Sequence, residues 1–252
     1  ENVLRLEDKS ISQIKQVLTE NPNDVACMIL EPIQGEGGDN HFRPEYFKKL
    51  KQLSLENDFL LIYDEVQTGI GITGKMWAHQ HFCEVNCSSE CISHCQSMEP
   101  DVISFGKKTQ CCGIFAGDRV NEIDNHVFKE SSRINSTFGG NLIDMVRFTI
   151  YLELIEKENL VEKAAENGAY LLSKLLEVQK NSQGLVSNSR GRGLFCAYDL
   201  PTPQHRDQLI QNMEKEGAII LGCGHSSIRF RPHLNISKDE IDQAILMMKN
   251  SL

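Results

Sequence analysis

Two short segments of this chain carry residue types suited to covalent and electrostatic work on a small molecule. Asp64-Glu65-Val66-Gln67-Thr68-Gly69 follows directly on the apolar run Phe59-Leu60-Leu61-Ile62-Tyr63, and Gly106-Lys107-Lys108 follows Val102-Ile103-Ser104-Phe105. A partly buried lysine can lose its proton and attack a carbonyl, which is Schiff-base chemistry. A carboxylate in a crevice of low dielectric can hold a protonated ring nitrogen through a charge-assisted pair. Each segment alone also has a plainer reading, Asp64 as a cap of the next helix and the two lysines as a solvated turn. Arg229, in Arg229-Phe230-Arg231-Pro232, offers a planar fork to a carboxylate, or else a surface charge at a strand edge.

Such groups need strands behind them. Val25-Ala26-Cys27-Met28-Ile29-Leu30 reads as a buried strand ending at Glu31, as do the runs before Asp64 and Lys107, and Ile114-Phe115-Ala116 is a fourth candidate. Helical spacing separates them, with Ile11, Ile14, Val17 and Leu18 on one face and Pro44 opening the next helix. Near-continuous apolar strands alternating with helices predict a mostly parallel sheet covered on both faces, with ligands bound outside the strands' carboxyl ends. From Asn141 the pattern changes. Long helices over 141–158 and about 161–175 precede strand-like Leu194–Tyr198, Ala218–Leu221 and Ile228–Phe230, with Gly191-Arg192-Gly193 as the turn into that sheet. A helix over Gln204–Glu216 lies between the first two of those strands, and Ser237-Lys238-Asp239-Glu240 is a capping box for a last helix. The predicted fold class is therefore α/β, a large domain over 1–150 followed by a small α+β domain over 151–252.

The formal charge of −9 and the lack of a Lys/Arg stripe argue against nucleic acid as a partner. No apolar run reaches the roughly 18–20 residues of a membrane span. Beginning at Glu1 without a start Met, the chain reads as a piece of something longer. Five of the nine cysteines, Cys111-Cys112 among them, sit in apolar surroundings, as reduced buried thiols do. A cytoplasmic protein is expected, or a mitochondrial-matrix one if a transit peptide lies upstream.

Five motifs occur in order: Glu31-Pro32-Ile33-Gln34-Gly35-Glu36-Gly37-Gly38, Asp64 to Gly69, Phe105-Gly106-Lys107-Lys108, Ser136-Thr137-Phe138-Gly139-Gly140-Asn141 and Arg229 to Pro232. Together they resemble the class III (ω-amino) aminotransferases of pyridoxal-phosphate (PLP) fold type I, across nearly the whole chain. The resemblance implies PLP as cofactor, with Lys107 as its Schiff-base lysine and proton shuttle; the choice over Lys108 rests on family register. It implies that Asp64 pairs with the pyridinium nitrogen, Val66 packs on the ring and Gln67 bonds the phenolic oxygen. Thr137 would reach the phosphate of a neighbouring subunit, which implies a homodimer. Glu36 and Arg229 would form the substrate switch, Arg229 taking a carboxylate of 2-oxoglutarate and Glu36 neutralising it when the amino-acid donor is bound. Glu31 would support the site.

Within the family, the segments around Glu36, Lys107 and Thr137 are most similar to members that transfer the side-chain amine of L-lysine. Gly74–His79 and Gly222-Cys223-Gly224 are similar to members acting on 4-aminobutyrate. Two departures stand out. The family's phosphate loop and its ring-stacking aromatic belong upstream and are not in this chain, which admits a non-catalytic paralogue that only pairs with a full-length subunit. Residues 83–98 are inserted relative to the family pattern, and their Cys83, Cys87, Cys91 and Cys95, with His94, admit zinc ligation or disulfides as alternatives to a surface insertion or an erroneously translated segment.

Overall fold

The computed structural model describes residues 3–6, 10–82, 98–134 and 137–252. The cysteine quartet and His94 lie outside the described residues.

Ser10 starts helix α1 (Ile11–Glu20) by accepting from the Gln13 amide at 3.1 Å, and Pro44 opens α2 (Pro44–Glu56), where its missing N–H leaves nothing unpaired. Between them lie strand β1 (Cys27–Leu30) and a two-stranded ribbon of β2 (Ile33–Gln34) and β3 (Asn40–His41). After α2 come β4 (Leu60–Asp64), β5 (Val102–Phe105), β6 (Gly113–Ala116) and the short α3 (Asp118–Asn121). The first sheet has the order β1-β4-β5-β6, with β1, β4 and β5 parallel. β6 runs antiparallel to β5, because the few residues between them can close a turn but cannot make the crossover that parallel pairing requires.

The apolar run read as a buried strand turns out differently: β1 is the outermost strand among those described, and Ile29 is 61% exposed. An apolar run reports a buried strand only where both faces are covered.

Helices α4 (Leu142–Lys157) and α5 (Leu160–Asn181) lead into the second sheet. It is built from β7 (Ser187–Arg192), β8 (Phe195–Asp199), β9 (Leu221–Cys223) and β10 (Ser227–Phe230), in the order β7-β8-β10-β9 and antiparallel throughout. Helices α6 (Pro203–Lys215) and α7 (Lys238–Ser251) pack on it, and the Ser237 capping box forms as its spacing predicts. Two expectations need correction. Ser187–Arg192 is a strand, not an approach to a turn, and its polar composition gave no apolar alternation to reveal it; the turn falls at Gly193-Leu194. The strand expected from Ala218 begins only at Leu221, with Ile219 left 93% exposed. The architecture is mixed α/β, a mostly parallel sheet with a smaller C-terminal α+β unit, as the sequence predicts.

Phe47, Leu50, Phe59, Leu61, Tyr63 and Phe82 form the core under the first sheet, each side chain contributing roughly 2–3 kcal/mol on burial. Tyr198, Ile228, Ile241, Ile245 and Met248 anchor the second core, and Ile33, Ile72, Leu194 and Phe195 join the two units. Their approach depends on Gly193, where a Cβ would fall 2.3 Å from the Thr73 carbonyl carbon. Of the cysteines expected to be buried, Cys196 and Cys223 are, whereas Cys27 and Cys112 are exposed and Cys111 is half-buried.

His41 is held near this junction, edge-on to Phe195, with a buried Nε2 that has no hydrogen-bond partner among the described residues. Burial, followed by the charges of Arg192 and Arg190, pushes its pKa down to about 3; burial likewise pushes His81 down to about 4. The folded state therefore resists protonation that the unfolded chain accepts. Stability from these imidazoles is complete above their unfolded value of 6.5 and is lost as pH falls toward the folded values. His41 alone is expected to remove about 2 kcal/mol by about pH 5. Urea unfolding of His41→Gln between about pH 7 and 5 should show a shallower pH slope than the parent; an unchanged slope would rule this out.

Candidate active site

The carboxyl ends of β1, β4 and β5 lie side by side and carry Glu31, Asp64 and Lys107 at or just beyond them. Asp64 pairs across to Ser104, whose Oγ donates to Asp64 Oδ1 at 3.1 Å, and the Val66 amide donates to the same oxygen at 3.0 Å. These bonds lock the carboxylate's angle and leave Oδ2 with no hydrogen bond among the described residues. Glu31 Oε2 accepts from the Gly35 amide at 2.9 Å and so fixes the loop carrying Glu36; burial, opposed by that bond, raises its pKa.

Lys107 begins a single tight turn, Lys107–Thr109, after Gly106. Its φ of 46° lies in the left-handed region, a conformation costing a lysine on the order of 1 kcal/mol or more and one that clusters at functional sites. The side chain carries no hydrogen bond or ion pair among the described residues. Lys108, by contrast, is buried and donates from Nζ to the Gln67 carbonyl at 2.6 Å; burial, then the nearby Arg231 charge, pushes its pKa down to about 8. The two lysines both line one cleft, so their place in it does not separate them. What does is that one amine is engaged and the other is free to react.

That cleft, of about 650 Å³, is walled by Glu36, Gln67, Lys107, Lys108, Arg229 and Arg231, with Tyr151, Leu154 and Leu234 on its apolar side. Four of the residues singled out from the sequence (Glu36, Gln67, Lys107 and Arg229) therefore come together. Asp64 and Val66 do not line the cleft: they stand behind it, with Val66 beside Gly106, where an added Cβ would lie 3.7 Å from Val66 Cγ1. Thr137 stands apart and exposed, and Ser136, the first residue of its motif, lies outside the described residues.

Arg229 projects from β10 and its Nη1 binds Glu36 Oε1. The arginine side chain is 12% exposed and the glutamate 65%, so a largely buried cation is matched by a carboxylate free to swing into solvent. Arg229 chiefly holds the Glu36 carboxyl below the usual range, and Arg229 Nε is buried without a partner among the described residues. Two positions further on, just past the end of β10, Arg231 binds the fully buried Asp39. The sequence reading missed Asp39 and gave Arg231 no role. The signal available was an i, i+2 repeat of arginine, which puts both on one face of a strand.

The donor set suits a flat pyridine aldehyde. It offers a free amine, an open carboxylate oxygen at a fixed angle, and a wall at Gly35 where a Cβ would lie 2.5 Å from Gln67 Oε1.

The family profile for aminotransferase class-III matches residues 2–252. The L-lysine-epsilon aminotransferase of Mycobacterium tuberculosis is 46% identical over 247 residues, covering 98% of this chain and 52% of that protein. A solved lysine aminotransferase from M. tuberculosis superposes with a TM-score of 0.88 at 44% identity, covering 100% of this chain and 57% of its own. The 4-aminobutyrate aminotransferase of Dictyostelium discoideum is 35% identical over 238 residues, 94% of this chain and 44% of that protein. The chain thus spans about half the length of the curated relatives it matches.

Proposed function

The chain belongs to the class-III aminotransferase family, and we propose that it serves a PLP-dependent transfer of the side-chain amino group of L-lysine to 2-oxoglutarate, giving 2-aminoadipate semialdehyde and glutamate. One observation carries the reading: a buried arginine with a movable counter-ion shares a cleft with an unengaged lysine. An enzyme that alternates between an amine donor and a dicarboxylate needs such a pair, because one pocket must accept a charge in one half-reaction and do without it in the other.

Lys107 would hold the cofactor through Nζ, Asp64 through its free oxygen to the ring nitrogen, Val66 against the ring and Gln67 by a hydrogen bond to the phenolic oxygen. When bound, PLP supplies an electron sink for the amine-bearing carbon. Once the substrate amine has displaced it, Lys107 Nζ would take the proton from that carbon and return it to the carbon on the other side of the amine nitrogen, acting as base and then acid within one turnover. Arg229 would receive a carboxylate of 2-oxoglutarate as a two-point fork once Glu36 swings out, and Glu36 would close on it again when lysine enters. Thr137, with Phe138, Leu142 and Ile143 beside it at 72–81% exposure, supports a second copy of the protein as the partner that completes the site.

Single-turnover rates of the full-length protein test this. L-lysine should load the amine at least tenfold faster than 4-aminobutyrate, about 1.4 kcal/mol of discrimination. Arg229→Ala should slow the 2-oxoglutarate half-reaction by roughly 10²-fold, the loss of a charged hydrogen-bonded pair, and lysine loading by less than about threefold. Preference for 4-aminobutyrate would replace the donor, and equal losses in both halves would remove the switch.

A further inference from the structure

Gln67 is gripped from three sides. Its backbone carbonyl accepts from Lys108 Nζ at 2.6 Å, its side-chain Oε1 accepts from Arg231 Nε at 3.2 Å, and its amide lies flat against Gly35. The two ends of a glutamine amide have nearly the same shape, so its partners decide which way it faces. A guanidinium only donates, so it must meet the oxygen. Arg231 therefore demands one orientation, with Oε1 on the guanidinium and Nε2 left to serve the cleft that Gln67 lines.

Arg231 is itself immobilised. Its Nη2 binds Asp39, which is fully buried, its Nη1 donates to the Phe230 carbonyl at 2.8 Å, and its guanidinium lies 3.2 Å from the centre of the Phe195 ring. Asp39 is fixed in turn by Arg190, whose Nε donates to its backbone carbonyl at 2.8 Å. Unlike Arg229, Arg231 has a counter-ion that cannot leave, so it is unsuited to exchanging substrate carboxylates.

We propose that Arg231, clamped by buried Asp39, is a positioning residue that presents Gln67 as a hydrogen-bond donor into the cleft. Resting on the PLP reading above, it assigns to this buried pair the orientation of the group that meets the cofactor's phenolic oxygen.

Arg231→Lys separates this role from a merely structural one. Lysine keeps the charge opposite Asp39 but lacks the fork that also reaches Gln67. In full-length protein, PLP should bind Arg231→Lys roughly tenfold more weakly by absorbance titration, the size of one lost hydrogen bond. The absorption maximum of bound cofactor should move as it does in Gln67→Ala. Combining Arg231→Lys with Gln67→Ala should then add nothing to Gln67→Ala alone. Unchanged affinity and spectrum in Arg231→Lys, or losses that multiply in the double variant, would overturn the proposal. Should Arg231→Lys lose its cooperative thermal transition, the uncharged pair Arg231→Met with Asp39→Asn replaces it under the same comparison. Borohydride reduction of the parent with PLP keeps the two ideas apart. A phosphopyridoxyl group on Lys107 with no Arg231 effect sinks this inference alone, whereas no such group on the parent sinks the cofactor reading.

Discussion

Replacement of Lys107 by alanine is expected to abolish the phosphopyridoxyl mass that borohydride reduction leaves on this chain, and to lower turnover by roughly 10⁴-fold. No other amine in the cleft is placed to substitute. Lys108 also lines the cleft, but its Nζ is committed to the Gln67 carbonyl and lies in a buried setting. Moving it to take over would break that bond and drag the Gln67 loop with it. The adduct should therefore vanish and not migrate. The fold should survive, because alanine removes an exposed side chain with no packed partner, and the left-handed backbone at 107 is no harder for alanine than for lysine. A measured adduct on Lys108 in the parent protein would reverse the assignment. No selective adduct on either lysine would favour a non-catalytic paralogue.

The largest stability effect is expected at Asp101, far from any chemistry. Its carboxylate, 3% exposed, accepts from Lys51 Nζ at 2.7 Å, from the Leu61 amide at 2.7 Å and from Arg119 Nη1 at 2.9 Å. Its backbone ties in the neighbouring strands as well, the amide bonding Leu61 and the carbonyl accepting from Gly117. One side chain thus holds α2, β4 and α3 to the start of β5. Asp101→Ala leaves two cations and an amide facing an apolar gap, and breaking a buried pair from one side costs about 3–5 kcal/mol. Urea unfolding of the full-length protein should show that loss, together with a melting temperature lower by roughly 10 °C. The exposed pair Lys249–Glu177, at 3.4 Å with side chains 43% and 51% exposed, provides the contrast: Lys249→Ala should change stability by less than about 1 kcal/mol. A loss below about 1 kcal/mol for Asp101→Ala would mean that water takes over the carboxylate's hydrogen bonds or that Lys51 swings out to solvent.

Most elements were legible because their signals are local. Pro44, the Ser237 capping box and the 3.6-residue spacing of α1 and α5 act within a turn or two of chain, and each appears where its residues predict. β7 was not legible. Ser187-Asn188-Ser189-Arg190-Gly191-Arg192 has no apolar alternation, and it becomes a strand by pairing with β8 and by Arg190 reaching Asp199 and the Gly38 carbonyl. β1 failed in the opposite sense, since its apolar run gave no sign that one face would stay open.

In the site, sequence alone determined the chemical inventory: a lysine, two acids and an arginine at strand ends, in an order specific enough to imply a family. Which groups are free and which are bound was decided only by the tertiary structure. Arg229 and Arg231 are the same residue type two positions apart, yet one faces a mobile glutamate 193 residues away and the other a buried aspartate 192 residues away. Lys107 and Lys108 are adjacent, yet a carbonyl 41 residues distant engages only the second. The physical reason is range. Periodicity and capping are settled between neighbours along the chain, whereas a counter-ion's burial, and hence whether it can leave, exists only once the two sheets have packed together.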